Sequence, residues 1–247
     1  MQETYLYTFG SVIIISLISF SGLFALSIKE QILRKYIFVL VSLATGALFG
    51  DAFIHLIPGS FEKIKNGSFV GILVILGIII FFILEKYLHW HHHEDDELKT
   101  HHTGKMVLIS DGLHNLIDGM VIAVSFLAGT EIGIATTLAV ILHEIPQEIG
   151  DFGILLNSGY TIKRALFLNF LSAILAILGS MVALLIYGAS ENIIQFLIPV
   201  AAGGFIYIAG SDLVPELHKT KNIRHSFIQL IAIIFGVVAM ILLLLTE

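Results

Sequence analysis

The sequence predicts an all-α integral membrane protein: one polytopic domain over 1–247, with eight membrane-crossing helices. Three observations carry that prediction. The chain is 57% hydrophobic and only 13% charged, with mean hydropathy +0.94, whereas a soluble domain has about a quarter of its residues charged because its surface faces water. Apolar runs of about 20 residues, the length that crosses a bilayer, recur at roughly 5–28, 36–57, 69–88, 106–127, 132–155, 163–187, 192–214 and 225–245. Lys and Arg then alternate in density from one connection to the next. Together these exclude a soluble enzyme or a nucleic-acid binder and make the lipid bilayer the chain's main partner.

The first run resembles a secretory signal only superficially. Glu3 is the one charge before it and its apolar stretch is too long, so it reads as a true span. Lys29-Glu30 precedes the second run and Pro58-Gly59 closes it. The third stops at the His-rich stretch after Leu88 and the fourth begins beyond Lys105. Asn157-Ser158-Gly159, Gly188 and Lys219 end the fifth, sixth and seventh. The odd-numbered connections hold Lys29, Arg34, Lys35, Lys99, Lys105, Lys163, Arg164, Lys219, Lys221 and Arg224, with Lys86 beside them; the even-numbered ones hold Lys63 and Lys65. By the positive-inside rule this puts both termini outside, the odd connections in the cytoplasm and the protein in the plasma (cell inner) membrane. A missed span would scramble that alternation. The 22 glycines suit closely packed membrane helices, and the absence of cysteine removes disulfides, thiolate ligands and cysteine nucleophiles.

The longest connection, at about 89–105, runs His-Trp-His-His-His-Glu-Asp-Asp-Glu and then His101-His102. Its composition predicts a flexible segment that captures metal weakly through His89, His91, His92, His93, His101 and His102. An internal echo links His55-Leu56-Ile57-Pro58 at the end of span two with Asp212-Leu213-Val214-Pro215 at the end of span seven. Those spans run in opposite directions, as an inverted repeat of helices 1–3 and 6–8 around helices 4 and 5 requires.

Ionisable groups inside a membrane are costly and mark function. The spans carry Asp51, Asp111, Asp118, Glu144, Glu148, Asp151 and Asp212, with His55, His114 and His143, while their Lys and Arg sit only at the basic ends. Structural ion pairs need cations that the spans do not supply, so a bound metal ion or bound protons must stabilise the acids. Residues three and four apart share a helix face. Asp111, His114, Asn115 and Asp118 therefore form one stripe on span four. On span five His143 faces with Gln147 and Asp151, and Glu144 with Glu148, while Pro146 kinks the helix. Two such helices side by side make a nitrogen and oxygen site of four to six ligands. It suits zinc, iron(II) or manganese and lacks the thiolates that favour Cu(I). Asn115 and Gln147 add neutral oxygens, and a weaker site lets a transported ion leave again.

Two other readings use the same residues. His143-Glu144-x-x-Gln147 is one residue short of the H-E-x-x-H pattern of zinc hydrolases, which would make an intramembrane zinc-dependent hydrolase. Buried carboxylates and histidines also relay protons, which would suit a proton-coupled carrier of an organic solute. Gln147 breaks the first pattern, and an anionic or amino-acid solute would call for a midplane Lys or Arg that is not there.

At His114-Asn115-Leu116-Ile117-Asp118-Gly119 and His143-Glu144-Ile145-Pro146-Gln147-Glu148-Ile149-Gly150-Asp151 the sequence resembles the ZIP family of zinc and iron transporters, particularly its LIV-1-like branch. Gly50-Asp51 through Pro58 is similar to that branch's second span, and Gly210-Ser211-Asp212 through Pro215-Glu216 to its seventh. The resemblance implies no enzyme and no catalytic cofactor. It implies uptake of a divalent metal as substrate, zinc first and then iron(II), manganese or cadmium, into the cytoplasm. It marks His114, Asn115, Asp118, His143, Glu144, Gln147 and Glu148 as ligands of a site that is often binuclear, with Asp51, Asp151 and Asp212 as inlet or exit groups. His55, Asp111 and Glu216 join them on the expected path, and the loop histidines, His218 and His225 receive the ion. The branch typically has His where this chain has Gln147, a poorer ligand. Some members bridge two metals with a span-six carboxylate where this chain has Asn169. The family often forms homodimers. Because metal must displace protons from its ligands, uptake is expected to fall at acidic pH.

Overall fold

The computed structural model describes residues 2–90, 99–189, 193–219 and 222–245, nearly all of them helical and none of them in a strand. The helices are α1 (Gln2–Ile18, continued by Ser21–Ala25), α2 (Glu30–Gly50, Asp51–Leu56 and Ile57–Lys63), α3 (Gly67–Trp90) and α4 (Lys99–Ala128). Then follow α5 (Thr130–Asn157), α6 (Ile162–Ala173 and Leu175–Ala189), α7 (Ile194–Ile208, Ala209–Leu213 and Val214–His218) and α8 (Ile223–Leu244). Seven of these are long and apolar enough to cross a membrane. At 28 residues α5 has the length; what it lacks is apolar content, because His143, Glu144, Gln147, Glu148 and Asp151 interrupt it.

Polar side chains cap the starts of two helices: Thr161 accepts from the Arg164 amide before α6, and Asn222 from the Arg224 amide before α8. Gly159 ends α5 in a left-handed conformation (φ 85°), which glycine adopts without steric cost. The predicted loop over 89–105 is shorter than its composition suggests. His89 and Trp90 close α3, and residues 99–105 are the opening turns of α4, so His101 and His102 lie on a helix. Polar residues disfavour the bilayer, not the helix: once an apolar span is nucleated, each further residue adds one backbone hydrogen bond. Residues 91–98, and with them the expectation for His91, His92 and His93, lie outside the described residues.

Lipid tails supply no hydrophobic force between helices, so close backbone packing must hold them together. Three glycine seams do this. A Cβ at Gly46 (α2) would meet the Ile233 carbonyl of α8, and one at Gly236 (α8) the Leu43 carbonyl of α2. Gly77 (α3) and Gly203 (α7) stand in the same reciprocal relation, as do Gly119 (α4) and Gly179 (α6).

The sequence echo extends into this packing. Both α2 and α7 widen into a π turn, over Asp51–Leu56 and Ala209–Leu213, just before Pro58 and Pro215. A proline lacks the amide that the regular ladder needs and crowds the carbonyl four residues back; the wider turn accommodates both faults. Gly46 and Gly203 each lie twelve residues before the proline. Exchanging α2 with α7 and α3 with α8 therefore carries the α2–α8 seam onto the α7–α3 seam.

Candidate metal-transport centre

Helices α4 and α5 form an antiparallel hairpin around Gly129. Residues equally far from that turn reach equal depth: His114 stands 15 residues before it, His143 and Glu144 stand 14 and 15 after it. Four side chains meet there. His143 Nε2 lies 3.1 Å from Asp118 Oδ2, 3.5 Å from Glu144 Oε1 and 3.2 Å from His114 Nε2. His114 Nε2 lies 3.4 Å from Glu144 Oε1 and 3.6 Å from Asp118 Oδ2. Ligands about 2.0–2.1 Å from a tetrahedral zinc ion are about 3.3 Å from one another. The measured separations, 3.1–3.6 Å, bracket that edge.

The ring orientation needed for binding is built in on α5. His143 Nδ1 lies 3.1 Å from the Ala139 carbonyl, which only accepts, so Nδ1–H donates there and the ring is held with Nε2 toward the cluster. Both Glu144 oxygens and Asp118 Oδ1 are buried without a hydrogen-bond partner. Glu144 is close to both imidazoles, but at 3.4–3.5 Å these contacts are not hydrogen bonds. Such acids need a cation or a bound proton, and no Lys or Arg among the described residues is paired with any of them.

Glu144 also belongs to a second cluster with Asp111 and Glu148, whose ligand atoms all lie within 4.8 Å of one another. Helix α6 frames it: Ser172 donates to Asp111 and Asn169 donates to Glu148. Asn115 donates to Asp111 Oδ1 at 2.8 Å, leaving its own carbonyl oxygen unpartnered. Asp111, expected on the path, therefore sits at the centre.

Beside the centre a cavity of about 590 Å³ reaches the ends of the helices where Lys and Arg concentrate, past Ile37, Glu85, Val107, Ile154 and Glu216. Asp151, Asp212 and Gln147 line it as well. Asp51 and His55 lie elsewhere, buried toward the opposite end of the bundle: Asp51 accepts from Thr136 at 2.8 Å, and His55 contacts the Met240 carbonyl at 3.0 Å. Buried apolar side chains, among them Val121, Ile122, Ala139, Val140 and Phe205, close that end. Of the receiving histidines, His218 is exposed at the end of α7 and His225 packs against Phe38.

Sequence reasoning passed over Glu85, Tyr207, Thr136 and Ser172. Glu85 adjoins Lys86 at the end of the third apolar run and reads as a boundary charge; the fold aims it at the cavity, where it accepts from the Tyr207 hydroxyl. Isolated hydroxyls in apolar runs give no sequence signal, because most only bond the carbonyl a turn behind them, as Thr45 and Ser60 do.

Comparison with known proteins identifies the family. The family model described as ZIP Zinc transporter matches residues 2–106 and 91–244. Zinc transporter zipt-7.1 of Caenorhabditis briggsae is 30% identical over 99% of this chain and 80% of its own length. Zinc transporter YKE4 of Saccharomyces cerevisiae is 32% identical over 83% of this chain and 70% of its own. Zinc transporter SLC39A7 of Rattus norvegicus is 28% identical over 96% and 71%.

Proposed function

The chain belongs to the ZIP family of zinc transporters, and from that membership we propose that it carries zinc into the cytoplasm through His114, Asp118, His143 and Glu144. It is a multi-pass membrane transporter and not a hydrolase. The tetrahedral spacing of those four ligand atoms carries the choice of zinc, with iron(II), manganese and cadmium as poorer fits.

The ion sheds water onto the two imidazoles and the Asp118 and Glu144 carboxylates. Asp111 and Glu148 share Glu144 and offer a second cation position, to which Asn115 contributes a neutral oxygen. Gln147 flanks the way out, and its weak neutral carbonyl favours release. Asp151, Asp212, Glu216 and Glu85 then attract the cation along the cavity. The distribution of Lys and Arg supports a cytoplasmic cavity mouth, a plasma-membrane location and termini outside. A homodimer, implied by the family resemblance, is the assembly proposed.

Uptake by proteoliposomes from an equimolar mixture of divalent metals, read by elemental analysis, tests the reading. Zinc should dominate the parent's accumulation, and His114→Ala and His143→Ala should each lower it by about a hundredfold or more, as expected for loss of one of four ligands. Unchanged uptake in both variants would remove the proposed site.

A further inference from the structure

Helices α1 and α6 are each interrupted, and neither contains a proline. In α1 the Phe20 amide bonds the Leu17 carbonyl at 3.2 Å and the Leu23 amide bonds the Phe20 carbonyl at 3.0 Å, each one residue short of the regular partner. In α6 the Ile177 amide bonds the Ile174 carbonyl at 2.9 Å in the same way. Every such shift releases a carbonyl, which inside a membrane must find another donor. The Ser19 hydroxyl answers the Ser16 carbonyl within α1, at 2.7 Å. The other two are answered across the gap between the helices. Ser16 of α1 donates to the Ala173 carbonyl of α6 at 2.9 Å, and Asn169 of α6 donates to the Ser19 carbonyl of α1 at 3.3 Å. The two breaks clasp each other.

No glycine or proline stands between Gly159 and Gly179, so α6 is interrupted from outside, by the Ser16 side chain entering its ladder. The location of that break matters because of what lies on either side of it. Beyond it, Gly179 is packed against the Leu116 carbonyl of α4. Before it, Asn169 donates to Glu148 Oε2 and Ser172 to Asp111 Oδ2, two acids of the second ligand cluster. The Asn169 nitrogen carries two hydrogens, enough for the α1 carbonyl and the α5 carboxylate together. Glu148 Oε1 is buried without a hydrogen-bond partner. Asn169 therefore holds one oxygen of Glu148 and leaves the other open to a cation.

A plain tether between α1 and α6 would explain the Ser16 contact. It does not explain why the answering donor, Asn169, also ends on a ligand carboxylate, nor why Ser172, next to the clasped carbonyl, ends on another. Asp111, Glu144 and Glu148 bring their oxygens within 4.8 Å of one another, and like charges that close repel. Donors at fixed places keep such acids in position before a cation arrives.

We propose that Ser16 and Asn169 are positioning residues for the second cation position. The clasp breaks α6 so that Asn169 and Ser172 meet Glu148 and Asp111, and α1 thereby shapes a site to which it contributes no ligand. The proposal rests on the transport reading above and on the second position named there.

Ser16→Ala, Ser16→Thr, Asn169→Ala and the double variant Ser16→Ala/Asn169→Ala test it. Zinc binding to the full-length chains in detergent is followed by calorimetry, with uptake by proteoliposomes measured in parallel. The parent should bind zinc in two steps. Ser16→Ala should weaken the second step about tenfold and leave the first within about twofold, as loss of an outer support does. Ser16→Thr, which keeps the hydroxyl, should restore the second step to within about threefold. Because the two residues act as one clasp, the double variant should be within about twofold of Asn169→Ala alone. A parental second step in Ser16→Ala would overturn the positioning role and leave the transport reading intact. So would equal weakening of both steps, independent losses that multiply in the double variant, or a transporting parent that binds a single zinc ion. A parent chain that neither binds nor moves zinc would overturn the transport reading and the clasp's role with it.

Discussion

The π turns of α2 and α7 are the same device in two settings. Each widens the helix ahead of a proline, and each carries an ionisable residue three positions before it, His55 and Asp212. His55 is sealed against the Met240 carbonyl at the closed end, whereas Asp212 is exposed and lines the cavity, bonded to its neighbour Ser211. The difference teaches that local sequence sets the shape of the helix, while the side on which the bundle is open decides what the shape does. One half of the repeat is held and the other is wet.

The sharpest way to probe that comparison is to remove what both ends serve. Glu144 is shared by both ligand clusters, so Glu144→Gln should lower zinc uptake by about a hundredfold or more while the protein still unfolds at a similar temperature in detergent. A variant retaining a tenth of parental uptake would mean that the two clusters work separately.

The glycine seams give a symmetrical test of intermediate size. A side chain at Gly46 or Gly203 runs into a backbone carbonyl of the facing helix, and neither helix can yield without losing its seam. Gly46→Leu and Gly203→Leu should each cost about 1–3 kcal/mol, and by similar amounts, as read from thermal unfolding of the purified protein. A large cost at one and none at the other would break the correspondence between the two halves.

The smallest effect separates the two π turns themselves. His55→Ala removes a buried hydrogen bond and should destabilise the protein by about 1 kcal/mol. Asp212→Ala, at an exposed position where the acid accepts from the adjacent Ser211, should change stability by less than about 0.5 kcal/mol. Equal losses would mean that Asp212 is as structural as His55.

The positions of the helices were legible because apolar length and Lys/Arg distribution are properties of composition along the chain. The run predicted at 106–127 falls inside Lys99–Ala128, and that at 132–155 inside Thr130–Asn157. The facing stripes were legible too, since helical spacing alone places Glu144 with Glu148. What could not be read were relations between helices. Whether Asp111 meets Glu144 and which hydroxyl finds Asp51 both depend on rotation and depth of one helix against another. A single-helix period does not encode either. The π turns were hidden for a different reason: proline announces a disturbed ladder, but not whether the helix kinks or widens in response.

The cavity beside the centre has one further consequence. At about 30 Å³ per molecule, 590 Å³ has room for on the order of twenty waters, more than enough for a complete hydration shell. On the proposed path, an ion leaving Asp118 and His143 would regain its solvent while still inside the bundle, so the energetic crossing of the membrane would end at the centre itself. The remaining distance would be diffusion through an acid-lined vestibule, its pace set on that path more by removal of the ion at the mouth than by further steps in the protein.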